Sequence, residues 1–176
     1  MSRFLSILLA ALLFFVLTGM KLRPGKDALF SVSSSISNDA STCDSLIAFA
    51  KQYLKKPYCY GSRVPRCFDC SGFVQFVFSN FGKSLPNSSG IIALQGKFIS
   101  FKNAMAGDLV FFNGSNANNE TVGHVGIVTA CSGDTISFIH ASVQAGVIVS
   151  NTKESYYSKR LLFVKRVQLP QMDRKQ

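Results

Sequence analysis

The order of patterns along this chain predicts an α+β fold, with N-terminal helices packed on an antiparallel β-sheet of about five strands. Apolar residues recur at helical spacing between Leu46 and Phe81. From Asp108 onward the period shortens to runs rich in Val, Ile and Phe, separated by Gly, Asn and Ser turns. Helices followed by a meander differ from the alternation that builds a parallel sheet, which disfavours a Rossmann or thioredoxin arrangement. With 176 residues, 47% of them hydrophobic, the chain holds material for one ordinary domain and is not wholly disordered.

Arg3 and the apolar run at residues 4–17, followed by Thr18-Gly19, mark residues 1–20 as a secretory signal or an N-terminal membrane anchor. Lys21, Arg23 and Lys26 beyond the run leave the orientation of an anchor undecided. Residues 21–42 form a Ser-rich linker, residues 43–169 the folded domain, and residues 170–176 a polar tail. The first helix starts at a Ser41/Thr42 cap, places Leu46, Ile47, Ala50, Tyr53 and Leu54 on one face, and is stopped after Lys56 by Pro57. Residues 58–69, with Gly61 and Pro65, read as a loop. Asp69 then precedes a helix whose apolar face is Phe73, Val74, Val77, Phe78 and Phe81, ended by Gly82. A short helix is expected around 88–95, and strands at 108–112, 122–130, 135–141, 146–150 and 161–167.

Lys and Arg number 19 against 9 Asp and Glu, a formal net charge of +10. Such a balance suits nucleic acid, anionic lipid or anionic polymer. The chain shows no zinc-finger spacing, RNA-binding aromatic motif or basic heptad helix, so nucleic acid is set aside. Anionic envelope polymers or a membrane surface remain as partners of an exported basic protein, although any single lysine serves solubility equally well. Five cysteines are too few for a disulfide-built miniprotein of this length, and their odd number leaves at least one without an internal partner.

Chemistry is expected at Cys70. With Asp69 as cap, the thiol occupies the first helical position, where free N–H groups and the helix dipole favour a thiolate. Its neighbours at helical spacing, Val74, Val77 and Phe81, are apolar, so the sulfur points along the core side. A buried, inert cysteine is the competing reading. The chain has two histidines to serve as base, His124 opening one strand and His140 ending the next. A three-residue loop at Cys131-Ser132-Gly133, with Gly133 left-handed, places His124 directly opposite His140 and Gly126 opposite Phe138. One imidazole then accepts the thiol proton while the other orients it, and Gly123 and Gly126 leave room for a substrate backbone. A two-residue turn would shift the register by one and separate the rings onto opposite faces.

The segments F-D-C-S-G-F-V-Q-F-V-F at 68–78, M-A-G-D-L-V-F-F at 105–112, H-V-G-I-V at 124–128 and F-I-H-A-S at 138–142 resemble, in order, the NlpC-type cell-wall cysteine peptidases. The resemblance covers roughly residues 43–168. It implies a reduced papain-like fold, a Cys70, His124, His140 catalytic set, and no metal or other cofactor. It also implies that Tyr58 lines the site and assists the oxyanion, and that Asp69, Ser71 and Ser88 contact substrate. The substrate implied is the peptidoglycan stem peptide, cut between D-glutamate and the following diamino acid through an acyl-enzyme. Ser62, Asn87 and the position of Gln95 depart from the family pattern and bear on substrate contacts more than on the catalytic set. Amidase or acyltransferase chemistry of the same superfamily is the nearest alternative. Cys67-Phe68-Asp69-Cys70 is also a C-x-x-C, which alone suits a redox or metal site, and an oxidising compartment would let Cys67 or Cys59 trap Cys70 as a disulfide.

Overall fold

The computed structural model describes residues 41–170. The signal or anchor at 1–20, the linker up to residue 40 and nearly all of the tail lie outside the described residues. Ser41 and Thr42 are already helical, so the ordered domain reaches further toward the N-terminus than the expected linker boundary.

Helix α1 occupies residues 41–51 and buries Leu46 and Ala50. It ends five residues earlier than Pro57 alone predicts. The chain turns out at Lys55, whose φ of 68° is costly for a residue with a Cβ. That turn lets the Lys55 N–H donate to the Val147 carbonyl and the Lys56 carbonyl accept from the Val147 N–H. Leu54, placed on the helical face by spacing, lies beyond the helix and is exposed. The expected loop 58–69 contains a small antiparallel hairpin, β1 (Arg63–Val64) and β2 (Cys67–Phe68).

Helix α2 (Cys70–Asn80) buries Phe73, Val74, Val77 and Phe78. Its end is a Schellman arrangement: Gly82, with φ 73°, donates to the Ser79 carbonyl and Lys83 donates to that of Phe78. Helix α3 (Ser89–Ile92) follows as a single turn with Ile92 buried.

The sheet has six strands rather than about five. They are β3 (Lys97–Ile99), β4 (Leu109–Asn113), β5 (Val122–Ser132), β6 (Thr135–Ser142), β7 (Gly146–Asn151) and β8 (Leu161–Arg166), arranged β3-β8-β4-β5-β6-β7 with every neighbouring pair antiparallel. The extra edge strand, β3, is three residues long with two of them exposed, too short to show a period. A four-residue helix, α4 (Ser155–Ser158), bridges β7 to β8.

Alternation along the strands divides the core. Leu109, Phe111, Val125, Ile127, Ile139, Ala141 and Val147 pack with α1 and α2. Val110, Phe112, Val128, Phe138 and Val164 form the second cluster with Tyr157 of α4. Asp108, almost fully buried, accepts from Arg166 Nε at 2.7 Å and Nη2 at 2.8 Å and from the Met105 N–H at 2.9 Å, fixing the turn that leads into β4.

Candidate active site

Asp69 sets the start of α2. Its backbone is extended and its Oδ1 accepts the Gly72 N–H at 2.6 Å, a side-chain cap worth about 1 kcal/mol. Gly72 is required there for a second reason: a Cβ would collide with the Ser62 carbonyl, which itself accepts from the Asp69 N–H at 2.8 Å. The 59–62 loop is thereby clamped against the helix start.

Cys70 is the first residue of α2. Burial, with the Asp69 carboxylate beside it, pushes its thiol up to about 11, against the pull of the Val125, Ser71 and Cys70 backbone N–H groups. The Val125 contact places the sulfur against β5, one residue past His124.

The two imidazoles are brought together. His124 Nε2 lies 2.9 Å from His140 Nδ1, with the rings perpendicular. His140 is fully buried and His124 half-buried. Burial lowers His124 to about 4, and burial together with the neighbouring His124 lowers His140 to about 2. The second nitrogen of His140, Nε2, lies 3.2 Å from the Tyr157 hydroxyl. Tyr157 was not legible in the sequence, where Tyr156-Tyr157 sat in a polar connection of no clear period. The only available signal was that two large aromatic rings are out of place in a solvated loop.

The hairpin register differs from the expected one. The turn is the two-residue Gly133-Asp134, with Ser132 opposite Thr135 and Gly133 at φ 55°. A shift between Val128 and Ala130 then puts Val128 opposite Phe138 and Ile127 opposite Ile139. One step further, Gly126 faces His140, and His124 reaches His140 diagonally from two residues along the same face. The expected openings for substrate at Gly126 and Gly123 are also filled. A Cβ at Gly126 would lie 2.7 Å from Phe138 Cδ2 and 3.2 Å from His140 Cβ, and Gly123 packs against Gly114. Gly126 makes room for the His140 side chain.

The remaining candidate residues lie around the start of α2 and the start of α3. Tyr58 is bridged to Phe68, and its hydroxyl is shifted up by burial and then by the charges of Cys70 and Asp69. Ser71 is buried, its Oγ 3.0 Å from Asp69 Oδ1 and 3.1 Å from the Asn87 carbonyl, so it braces the helix start against the 86–88 loop. Ser88 stands before α3 with no side-chain capping bond, and its Oγ lies near Gly90, which neighbours Val122 at the start of β5.

Cys67 and Cys70 of the C-x-x-C are not paired with each other. Cys67 is joined to Cys59 in a disulfide with Cα atoms 5.6 Å apart, and Cys70 keeps its thiol. Neither cysteine is left to trap it. Cys131 is an exposed thiol at the hairpin tip.

The NlpC/P60 family model matches residues 55–166. The chain belongs to the NlpC/P60 family. Probable endopeptidase p60 of Listeria grayi is 42% identical over 98 residues, which cover 55% of this chain and 18% of that protein. An Escherichia coli relative named murein DD-endopeptidase MepS/murein LD-carboxypeptidase is 38% identical over 111 residues, 62% of this chain and 55% of the relative. The chain therefore spans little more than half of one of these relatives and a fifth or less of the other. An NLP/P60 family protein from Staphylococcus aureus, described as similar to a lipoprotein, superposes with a TM-score of 0.64 at 31% identity, covering 75% of this chain and 43% of that one. An NlpC/P60 protein from Bacillus cereus gives 0.64 at 26% identity, with 73% and 40% covered. The papain-like α+β fold of NlpC/P60 domains is the fold observed here.

Proposed function

We propose that this NlpC/P60 domain is an exported cysteine endopeptidase that hydrolyses peptidoglycan stem peptides, with Cys70 as nucleophile, His124 as base and His140 as the group that orients it. The observation carrying the reading is the placement of the Cys70 sulfur at a capped helix start, against the β5 residue next to His124, while His124 Nε2 is held by His140. With Nε2 so engaged, Nδ1 is the nitrogen left to face the thiol.

Burial disfavours a lone charge on either partner. Proton transfer from Cys70 Sγ to His124 Nδ1 therefore accompanies attack on the scissile carbonyl. The carbonyl π electrons move onto oxygen, where the Cys70 N–H and the Tyr58 hydroxyl, kept protonated by its upward shift, donate to the oxyanion. Collapse expels the amine, which takes the proton from His124. Water, deprotonated by His124, then releases the acyl group and restores the thiol. Asp69 Oδ2 and the Ser88 hydroxyl are assigned to substrate contacts, and Ser71 to bracing Asp69 and the 86–88 loop.

The bond assigned is that between D-glutamate and the diamino acid. A second reading, cleavage next to D-alanine, draws support from the name of the Escherichia coli relative. Export is supported by the apolar segment at 4–17 and by the Cys59–Cys67 disulfide, which persists in oxidising compartments. No helix among the described residues is long and apolar enough to cross a membrane. Anionic envelope polymers are the further partners proposed for the +10 charge.

Mass spectrometry of defined muropeptides incubated with the protein tests the reading. New termini at the D-glutamate bond are expected, Cys70→Ser should abolish them, and Cys67→Ser should retain most of the activity. Intact muropeptides, or equal loss in both variants, would overturn it.

A further inference from the structure

Tyr157 takes no part in the steps above, yet it is the one side chain that holds the far side of His140. It arrives from α4, is 8% exposed, and packs its ring against Phe138, Phe112 and His140 with centroids 5.0, 5.3 and 5.2 Å away. Its hydroxyl lies 3.2 Å from His140 Nε2.

We propose that Tyr157 is a positioning residue that selects the tautomer of His140 and, through it, the nitrogen of His124 that is free to act as base. The proposal rests on the assignment of His124 as base. Each ring in the row has one proton to place. His124 can accept at Nδ1 only if its own proton sits on Nε2, and that proton must then be donated to His140 Nδ1. His140 in turn must carry its proton on Nε2 and needs an acceptor there. The Tyr157 oxygen, 3.2 Å away, is placed to be that acceptor. Every donor between the thiol and Tyr157 then points toward Tyr157.

The reverse arrangement is equally hydrogen-bonded but inactive. If His140 carried its proton on Nδ1, it would donate to His124 Nε2 and drive the His124 proton onto Nδ1, the nitrogen facing Cys70. No carboxylate hydrogen-bonds or pairs with either imidazole among the described residues, so the choice between tautomers falls to the Tyr157 hydroxyl.

The test uses the full chain with ¹⁵N-labelled histidine, observing ring tautomers at neutral pH by long-range ¹H–¹⁵N correlation, beside steady-state kinetics on a muropeptide. Wild-type protein should show both histidines protonated on Nε2. In Tyr157→Phe, which keeps the ring, the Nδ1–H tautomer should appear at both histidines, and kcat should fall about tenfold with KM unchanged. A wild-type His140 protonated on Nδ1 overturns the proposal without any variant. Unchanged tautomers and unchanged kcat in Tyr157→Phe overturn it as well. If the wild-type protein cleaves no muropeptide but the tautomers shift as stated, the relay is supported and the peptidase reading is the one that fails.

Discussion

His124 and His140 are costly residues to keep neutral inside a protein, and the cost should be visible in acid. Their unfolded counterparts titrate near pH 6.5, whereas the folded ones lie at about 4 and about 2. Between those values the unfolded chain binds more protons, so stability rises with pH and is lost as pH falls from about 6.5 toward 4. Thermal unfolding midpoints taken from pH 7 down to 4.5 should therefore fall, and His124→Asn should flatten that decline. An equally steep decline in the variant would assign the acid sensitivity to other groups. Gly126 is the second residue under constraint. A methyl group there meets Phe138 and the His140 Cβ, so Gly126→Ala should cost about 1–3 kcal/mol and depress kcat by displacing the His140 ring. Urea unfolding and kcat measured on the same preparation check both effects.

At the scale of the β5–β6 hairpin, an irregularity keeps the two histidines in phase. The Gly133-Asp134 turn alone would leave His124 and His140 on opposite faces, and the extra residue, Thr129, restores the parity. Deleting Thr129 merely regularises the ladder, so activity should stay within about threefold of the parent. Deleting Gly126, three positions away in the same strand, puts His124 out of phase and should abolish activity. Comparable activity in the two deletion variants would refute the parity argument. This hairpin also shows where the sequence stops being legible. Its strands were evident from Val, Ile and Phe content, and so was the shared face of the two histidines, although not the direct opposition expected of them. The turn was not, because Cys-Ser-Gly and Gly-Asp both satisfy turn chemistry within the same four residues. A bulge such as that at Thr129 places no demand on residue type. The β1–β2 hairpin, β3 and α4 were missed for a related reason: two to four residues carry no period. Cys70 was placed well because its helix announces itself twice, by the Asp69 cap and by the phenylalanine and valine face.

For the whole molecule, the core is expected to hold without the disulfide. The sheet and α2 bury enough apolar surface to hold the fold, whereas Cys59–Cys67 closes a short loop that carries the approach to Tyr58. Replacing both cysteines by serine should cost about 2–3 kcal/mol and raise KM more than it lowers kcat. A fully unfolded variant would show that the loop, rather than the layered core, sustains the domain. The same bond links the site to location. Protein made in a reducing cytosol should resemble the double variant, and protein recovered from outside the membrane the parent.

The row from His124 through His140 to Tyr157 contains no carboxylate, and this bears on the timing of charge during turnover. In the proposed reaction, the cation on His124 forms as the sulfur attacks and has the oxyanion as its counter-ion only until the tetrahedral intermediate collapses. Once the oxyanion is lost an imidazolium would be stranded in an apolar pocket, and the amine leaving in the same collapse is its outlet for the proton. An anionic third member would keep that cation comfortable. A neutral one makes the acyl-enzyme intolerant of it, so His124 should return to the free base before water arrives.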